Sequence, residues 1–205
     1  MKKIGKVIVA ILSILIGLYP FVYFLVDEKF GLLNSKSNDL LTNTVWNTAF
    51  YTHITLGGIA LLVGWTQFSK RIRSTRLKLH KLLGKVYVIT VLISGVSGVY
   101  IGLFATGGII ASLGFIGLGM TWLYSTIAAY RQIVKGQINK HQILMHYSYA
   151  ACFAAVTLRI WLPVLTVSFG DFIIAYSIVA WLCWIPNLIV AYYLTRNIRS
   201  STRYL

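Results

Sequence analysis

Acidic residues are almost absent from this chain, which has four Asp and Glu against nineteen Lys and Arg in 205 residues. The four acids are Asp27, Glu28, Asp39 and Asp171, and none lies within a long apolar run. Without carboxylates in its apolar segments the chain cannot build a carboxylate proton relay there, which disfavours a proton pump. Charged residues make up only 11% of the chain, against about 25% in soluble domains. This composition indicates an integral membrane protein.

Cysteine and the common catalytic motifs are also scarce. Cys152 and Cys183 each fall in the middle of an apolar run, no CxxC is present, and we interpret both as small core residues. Neither a P-loop nor an HExxH motif occurs. The sequence therefore identifies no catalytic residues, and whether the protein is an enzyme stays open.

Six apolar segments have about the 20 residues that a helix needs to cross a bilayer. They cover approximately residues 7–26, 46–68, 82–106, 109–130, 142–167 and 172–195. The first is longer than a signal-peptide core and lacks an A-x-A cleavage site, so we expect a retained helix. The connections are too short for a soluble domain. The sequence predicts one all-α domain over residues 1–205, a six-helix transmembrane bundle.

Basic residues concentrate in the connections that lie on one membrane face if the six helices alternate in direction. They are Lys2, Lys3, Lys6, Lys70, Arg71, Arg73, Arg76, Lys78, Lys81, Lys85, Arg131, Lys135, Lys140, Arg196, Arg199 and Arg203. The other face holds Lys29 and Lys36 together with all four acids. By the positive-inside rule this pattern predicts a multi-pass protein of the cell membrane with both termini in the cytoplasm.

The net charge of +15 follows from the same pattern. Positive charges beside spans determine topology, and they attract anionic lipid head groups by about 1 kcal/mol each. The expected partners are therefore the lipid bilayer and its anionic head groups, with no role for nucleic acid.

Arg159 is the most unusual residue, because it lies deep within the fifth apolar segment. A cation in hydrocarbon is costly, so it normally faces the protein interior and serves a function. At about 1.5 Å of rise per residue, Arg159 lies roughly 12 Å below the face opposite the termini, and His53 roughly 10 Å below it. We expect both to line one cavity that opens toward that face. Pro163 leaves the carbonyl of Arg159 without its helical donor, which predicts a kink there.

The remaining candidates lie nearer the termini. His80 and His141 begin the third and fifth helices, and Gln67 ends the second at the same level. His146 points about 140° away from His141 on the same helix, which disfavours a shared metal ion. Asn187 follows Pro186 in the sixth segment and can reach His146, Tyr147 or Tyr149. His53-x-x-x-Gly57 and His80-x-x-x-Gly84 place a glycine one turn after each histidine, which leaves room for a flat ligand or a neighbouring backbone.

Three classes of function fit these residues. The first is haem b, with His80 and His141 or His80 and His146 as axial ligands and Arg159 against a propionate or a quinone oxygen. The second is a zinc or copper site at His80 and His141, which still needs a third ligand. The third is a non-enzymatic assembly factor or small-molecule transporter in which Arg159 recognises an anionic head group.

The motifs together resemble a family of bacterial membrane proteins known as domain of unknown function 2306. The likeness rests on the stretch from His53 to Phe68, on His80-Lys-Leu-Leu-Gly84, and on His141, Ala154–Arg159 and Trp184-Ile-Pro-Asn187. It covers about the C-terminal three quarters of the chain. The resemblance implies a functional set that excludes His146 and consists of His53, Gln67, His80, His141, Arg159 and Asn187. The family implies no activity, and its likeness to two-haem cytochrome b proteins is one of architecture.

Overall fold

The computed structural model describes residues 3–26 and 31–202, and this part of the chain contains no β-strand. Its α-helices are α1 (Lys3–Leu18), α2 (Val22–Leu25), α3 (Asn38–Thr42), α4 (Thr44–Gly64), α5 (Lys70–Thr75), α6 (Leu77–Gly102), α7 (Gly108–Val134), α8 (Ile138–Cys152), α9 (Ala154–Phe169), α10 (Phe172–Leu182) and α11 (Ile185–Thr202). The predicted all-α class is confirmed.

Within the described residues, six helical runs are long and apolar enough to cross a membrane. Spans 1 to 6 are Ile4–Leu25, Thr44–Phe68, Leu77–Gly102, Gly108–Val134, Ile138–Phe169 and Phe172–Ile198. The prediction of six spans is confirmed, and the largest shift concerns span 3. It includes the basic residues before Leu82 and ends at Gly102, because residues 103–107 turn back toward span 4 through Gly107 and Gly108, both at positive φ.

Short connections make the spans alternate in direction, which gives the bundle two ends. The termini end carries the start of span 1, the end of α11 and the basic connections around residues 69–76 and 135–137. The strap end carries the connections around residues 31–43, 103–107 and 170–171. We call residues 31–36 the strap. Among the charged residues that set the predicted orientation, Lys2, Asp27, Glu28, Lys29 and Arg203 lie outside the described residues.

Spans 5 and 6 are each interrupted near the middle of their length. Span 5 breaks at Phe153, between α8 and α9, and span 6 breaks between α10 and α11. Pro163, where the sequence predicts a kink, lies inside α9, which continues to Phe169. The interruption of span 5 at Phe153 is a separate feature that precedes Arg159.

Asn187 supplies hydrogen bonds to the backbone at both interruptions. Its Nδ2 donates to the carbonyls of Ala150, at 3.2 Å, and Cys183, at 2.9 Å, and lies 3.1 Å from Thr157 Oγ1. Thr157 in turn donates to the Cys183 carbonyl. These contacts replace the predicted ones to His146, Tyr147 or Tyr149. Polar side chains that satisfy broken backbone in this way make interrupted helices tolerable within a membrane.

The interruption lets the two halves of span 5 pack differently. Helix α8 packs closely on α7 and α11, whereas α9 packs mainly on α10 and touches α1. The strap-end half of span 5 therefore stands apart from spans 2 to 4, and an interior space opens beside it.

Candidate functional site

A cavity of about 430 Å³ occupies the strap-end half of the bundle. All six spans and the strap contribute to its wall. The lining is mostly apolar and rich in aromatic rings and glycines, and it includes Arg159, His53 and Lys36. Concave, largely apolar spaces with a few polar groups are the usual form of small-ligand sites.

Arg159 projects from α9 into this cavity. One guanidinium nitrogen, NH1, donates to the Ala155 carbonyl at 2.9 Å, one turn back on the same helix. The guanidinium carbon also lies 4.4 Å from the centre of the Tyr19 ring, a cation–π contact. Among the described residues no Asp or Glu lines the cavity. Because a guanidinium has five N–H donors, Arg159 keeps donors for a further partner.

His53 lies in the same cavity wall, as its shared depth with Arg159 predicts. Its Nδ1 lies 2.9 Å from the Ser94 carbonyl of span 3, and Ser94 Oγ donates back to the His53 carbonyl at 2.9 Å. Since a carbonyl only accepts, Nδ1 carries the proton of the neutral ring and Nε2 carries the lone pair. The imidazole is thus held in one tautomer.

A glycine on the neighbouring span makes room for that ring. A Cβ placed on Gly98 would lie 2.7 Å from both Cε1 and Nδ1 of His53. Gly57, the glycine of the His53-x-x-x-Gly57 motif, lies next to Ser94 instead. The Oγ of Ser94 would be 3.2 Å from a Cβ built on Gly57. Ser94 therefore occupies part of the space beside Gly57, which also lines the cavity.

The strap forms the roof of the cavity. Leu33 is buried in the core, and Gly31 has a φ of +59° that brings it against the Tyr23 hydroxyl. The Lys36 ammonium donates to the Phe104 carbonyl and to Thr106 Oγ1, at the C-terminal end of span 3. A cation at a helix C-terminus is stabilised by the unpaired carbonyls there. Burial lowers the pKa of Lys36 to about 8.

Gln67, His80 and His141 lie at the opposite, termini end and do not line the cavity. His141 Nδ1 donates to the Ala129 carbonyl at 2.9 Å, whereas the buried Nδ1 of His80 has no hydrogen-bond partner among the described residues. The two imidazoles are close enough to interact electrostatically. Gln67 is buried and fills the space beside Gly84, where its Oε1 would lie 3.3 Å from a Cβ.

His146 is separate from both groups. Its Nδ1 pairs with the Gln142 carbonyl at 2.7 Å, and its ring packs edge-on against Phe68, with centroids 4.8 Å apart. It lines no part of the cavity. These contacts describe a core histidine held by its own helix.

A hydrogen-bonded ring of buried side chains separates the two ends. Trp122 Nε1 donates to the Tyr87 hydroxyl at 3.3 Å, and Thr126 Oγ1 donates to the Trp122 carbonyl at 2.7 Å. Ser148 lies between them, 2.8 Å from Tyr87 and 2.6 Å from Thr126. Each hydroxyl therefore donates to the next, from Tyr87 through Ser148 to Thr126, and the ring closes on itself.

The residue order along spans 4 and 5 places this hydrogen-bonded ring between the cavity and the termini-end histidine His141. Along span 5 the order is His141, Ser148 and then Cys152, which lines the cavity. Along span 4, Trp122 lines the cavity and Ala129 contacts His141. The six predicted site residues thus fall into a cavity pair, His53 and Arg159, a termini-end group, and Asn187 at the helix breaks.

The described residues offer no multi-ligand metal centre. Within residues 3–26 and 31–202, no three His, Cys, Asp or Glu side chains come together in a way that could hold a metal ion. The pair His80 and His141 therefore has no third ligand of these types in the described part of the chain.

Sequence reasoning missed most of the cavity wall. Tyr19, Tyr23 and Lys36 surround the charged part of the cavity, and Ser94 and Gly98 position His53. The spacing of Tyr19 and Tyr23, one turn apart around a proline, is the one signal that could have pointed to them. The others depend on contacts between distant segments.

The fold and the cavity together define an all-α membrane protein of six spans that encloses an interior space lined by a half-buried arginine. The chain matches the model of a family described as "Predicted membrane protein (DUF2306)" over residues 50–195. It belongs to that family, and the matched region contains all six predicted site residues. No curated protein and no solved structure matches the chain.

Proposed function

We propose that this protein binds an amphipathic anion in the interior cavity, with Arg159 as the contact for the anionic head group. The observation that carries the proposal is a guanidinium in an apolar cavity that no described carboxylate lines. An unpaired charge is expensive to hold away from water, and an anion that pairs with it removes that cost.

The rest of the wall fits the apolar part of such a ligand. Leu158, Leu162, Ile54 and Phe115 are among the lining residues. Arg159 is the cationic group among these lining residues that keeps unused N–H donors. The cavity therefore combines an apolar wall with one guanidinium, which favours a ligand that is apolar over most of its length and carries oxygen acceptors at one end.

Charge distinguishes this proposal from a neutral ligand such as a quinone. A quinone oxygen can accept a hydrogen bond from Arg159, but it leaves the positive charge uncompensated. An anion adds the Coulomb attraction of opposite charges to the hydrogen bond, and a guanidinium can donate two parallel hydrogen bonds to a carboxylate or phosphate. An anionic ligand is therefore the better match.

The test is to identify what copurifies with the protein from its membrane. Mass spectrometry of extracted small molecules should find an anionic amphiphile with the wild type, reduced at least tenfold in Arg159→Gln. Arg196→Gln, which removes an exposed arginine at the termini end, is the matched control and should not change the yield. Equal recovery from Arg159→Gln and wild type would contradict the proposal.

We further propose that both termini lie in the cytoplasm and that the protein resides in the cell membrane. The concentration of basic residues at the termini end supports this orientation. The two native cysteines are buried, so single cysteines placed at Ser37 or Ser74 can be labelled selectively. A membrane-impermeant maleimide should label intact cells at position 37 and not at 74, and the reverse pattern would invert the topology.

Haem b between His80 and His141 is a second candidate function. Its basis is that His80 and His141 lie at the same end of the bundle on different spans, with His141 oriented by the Ala129 carbonyl. Haem needs only two axial protein ligands, whereas zinc or copper sites usually take three or four, so the pair fits haem better. Protein expressed with ample haem should then show a Soret band that His80→Ala and His141→Ala lose and His146→Ala retains. A colourless wild-type protein would eliminate this candidate.

A further inference from the structure

The wall of the cavity reaches the protein surface along one side. Pro163 of α9 lines the cavity and is also exposed on the outside of the bundle. Gly31 of the strap has the same two properties. Tyr19 of span 1 is half-buried, lines the cavity and contacts Arg159 on α9. The two exposed wall residues place the cavity mouth at the strap-end half of α9, on the side where span 1 packs.

The depth of Pro163 places this mouth within the bilayer. Pro163 precedes the end of α9 at Phe169 by six residues, and a helix rises about 1.5 Å per residue, so it lies about 9 Å below the strap end. Its outward neighbours Ile160 and Val164 are exposed apolar side chains, as expected for a surface that faces acyl chains. The opening thus faces lipid over part of its height.

The strap restricts access from the aqueous side. Leu32 packs against the core clusters on both sides of the cavity, and Lys36 and Ser35 are bonded to the end of span 3. Tyr23 contacts both Tyr19 and the backbone of Leu32, which joins span 1 to the strap. A ligand that arrives from water meets this roof, whereas a ligand in the adjacent leaflet meets the side opening.

We infer that the ligand is an anionic phospholipid of the leaflet at the strap end, which enters sideways between spans 1 and 5 and places its phosphate at Arg159. This inference rests on the proposed function and specifies its ligand. The side opening lets the acyl chains remain partly in the bilayer while the head group occupies the cavity. A guanidinium matches the phosphate geometry with two parallel hydrogen bonds.

The experiment uses the full-length protein in nanodiscs of phosphatidylcholine with a minor fraction of phosphatidylglycerol. Lipids that stay bound after release from the nanodisc are counted by native mass spectrometry. Leu162→Trp places a bulky ring in the half-buried wall beside the mouth, and Val164→Trp places the same ring on the exposed face of the same helix outside the cavity. Ile16→Trp, from the span 1 wall, replaces Leu162→Trp if that variant does not fold.

We expect the wild type and Val164→Trp to retain phosphatidylglycerol in preference to phosphatidylcholine, and Leu162→Trp to retain at least fivefold less. Soluble glycerol 3-phosphate should not displace the bound lipid. Displacement by glycerol 3-phosphate, or full retention in Leu162→Trp, would overturn sideways entry of a lipid but leave Arg159 as an anion contact. Equal retention in Arg159→Gln and wild type would overturn the proposed function itself.

Discussion

The guanidinium carbon of Arg159 lies 4.4 Å from the centre of the Tyr19 ring, so a cation on span 5 is covered by an aromatic face on span 1. The same arginine donates to Ala155 on its own helix. These two contacts hold the charge in place while its remaining donors face the cavity. Cation–π contacts such as that between Arg159 and Tyr19 contribute about 0.5–1 kcal/mol at exposed sites and about 2 kcal/mol where water is excluded.

Replacing Tyr19 should separate the ring contact from the hydroxyl contact. Tyr19→Leu removes the aromatic face and should lower the free energy of unfolding by about 1–2 kcal/mol. Tyr19→Phe keeps the face and loses only the hydroxyl that interacts with Tyr23, so it should cost less. For a chain of this size, 1 kcal/mol corresponds to a shift of about 2–4 °C in Tm. Thermal unfolding of the two variants in the same detergent measures both changes in stability. Equal losses of stability in Tyr19→Leu and Tyr19→Phe would show that the ring face does not stabilise Arg159.

Gly98 should be intolerant of any side chain because His53 fills the space beside it. The Cβ of Gly98→Ala would lie 2.7 Å from two ring atoms of a histidine that is held by Ser94. We expect a loss of about 1–3 kcal/mol, the usual cost of overpacking.

Gly117→Ala is the matched control for that substitution. It lies in the helix of span 4, and the nearest atom to its new Cβ, Cζ2 of Trp184, would be at 3.5 Å, an ordinary contact. This change should be neutral or stabilise by up to about 1 kcal/mol, because alanine favours the helix. If His53 is the obstacle, the double variant Gly98→Ala, His53→Ala should lose less than the sum of the single changes. An additive result would place the clash elsewhere.

Asn187 should prove to be a structural residue at the two helix breaks. Asn187→Leu leaves the Ala150 carbonyl without its side-chain donor, whereas the Cys183 carbonyl keeps Thr157. Unsatisfied buried groups cost about 1–3 kcal/mol, and hydrogen bonds within membranes average nearer 0.6 kcal/mol. We expect a loss of about 1 kcal/mol with normal ligand retention per folded molecule.

Thr157→Val tests the other donor at the same break. Because both side chains serve the Cys183 carbonyl, the double variant Asn187→Leu, Thr157→Val should lose more than the two single losses added together. Loss of ligand without loss of stability in Asn187→Leu would instead assign Asn187 to the binding site.

Features that depend on the local chain were predictable, and features that depend on packing between distant segments were not. Apolar run length predicted six spans, and helical rise predicted that His53 and Arg159 share a level. The break in span 5 at Phe153 was not predicted, because Asn187 stabilises it from another span, whereas Pro163 lies within the continuous helix α9. The fit of Gly98 to His53 and the bond from Lys36 to Thr106 join residues far apart in sequence. No spacing rule reveals such pairs.

Lys36 should make the stability of the protein depend on pH in the alkaline range. Burial lowers its pKa to about 8 in the folded protein, against about 10.4 in an unfolded chain. Between these values the unfolded chain binds more protons than the folded protein, so the free energy of unfolding should rise as pH increases from about 8 to about 10.4. Well below pH 8 Lys36 is protonated in both the folded and the unfolded chain, so it no longer makes the free energy of unfolding depend on pH. Because the side chain is only half-buried, solvent screening limits the gain to about 1 kcal/mol.

Lys36→Met tests this dependence and the strap together. The substitution removes the titrating group and the bonds to Phe104 and Thr106 while it keeps an apolar stem of similar length. Thermal unfolding from pH 7 to pH 10.5 should show a smaller rise in Tm for Lys36→Met than for the wild type. Lys6→Met, an exposed lysine on span 1, should keep the wild-type profile. A wild-type Tm that falls over this range to the same extent as that of Lys36→Met would mean that the ammonium of Lys36 is not desolvated by the fold. The bonds from Lys36 to Phe104 and Thr106 would then be made by a solvated ammonium, and the apolar contacts of Leu33 would be the main buried attachment of the strap.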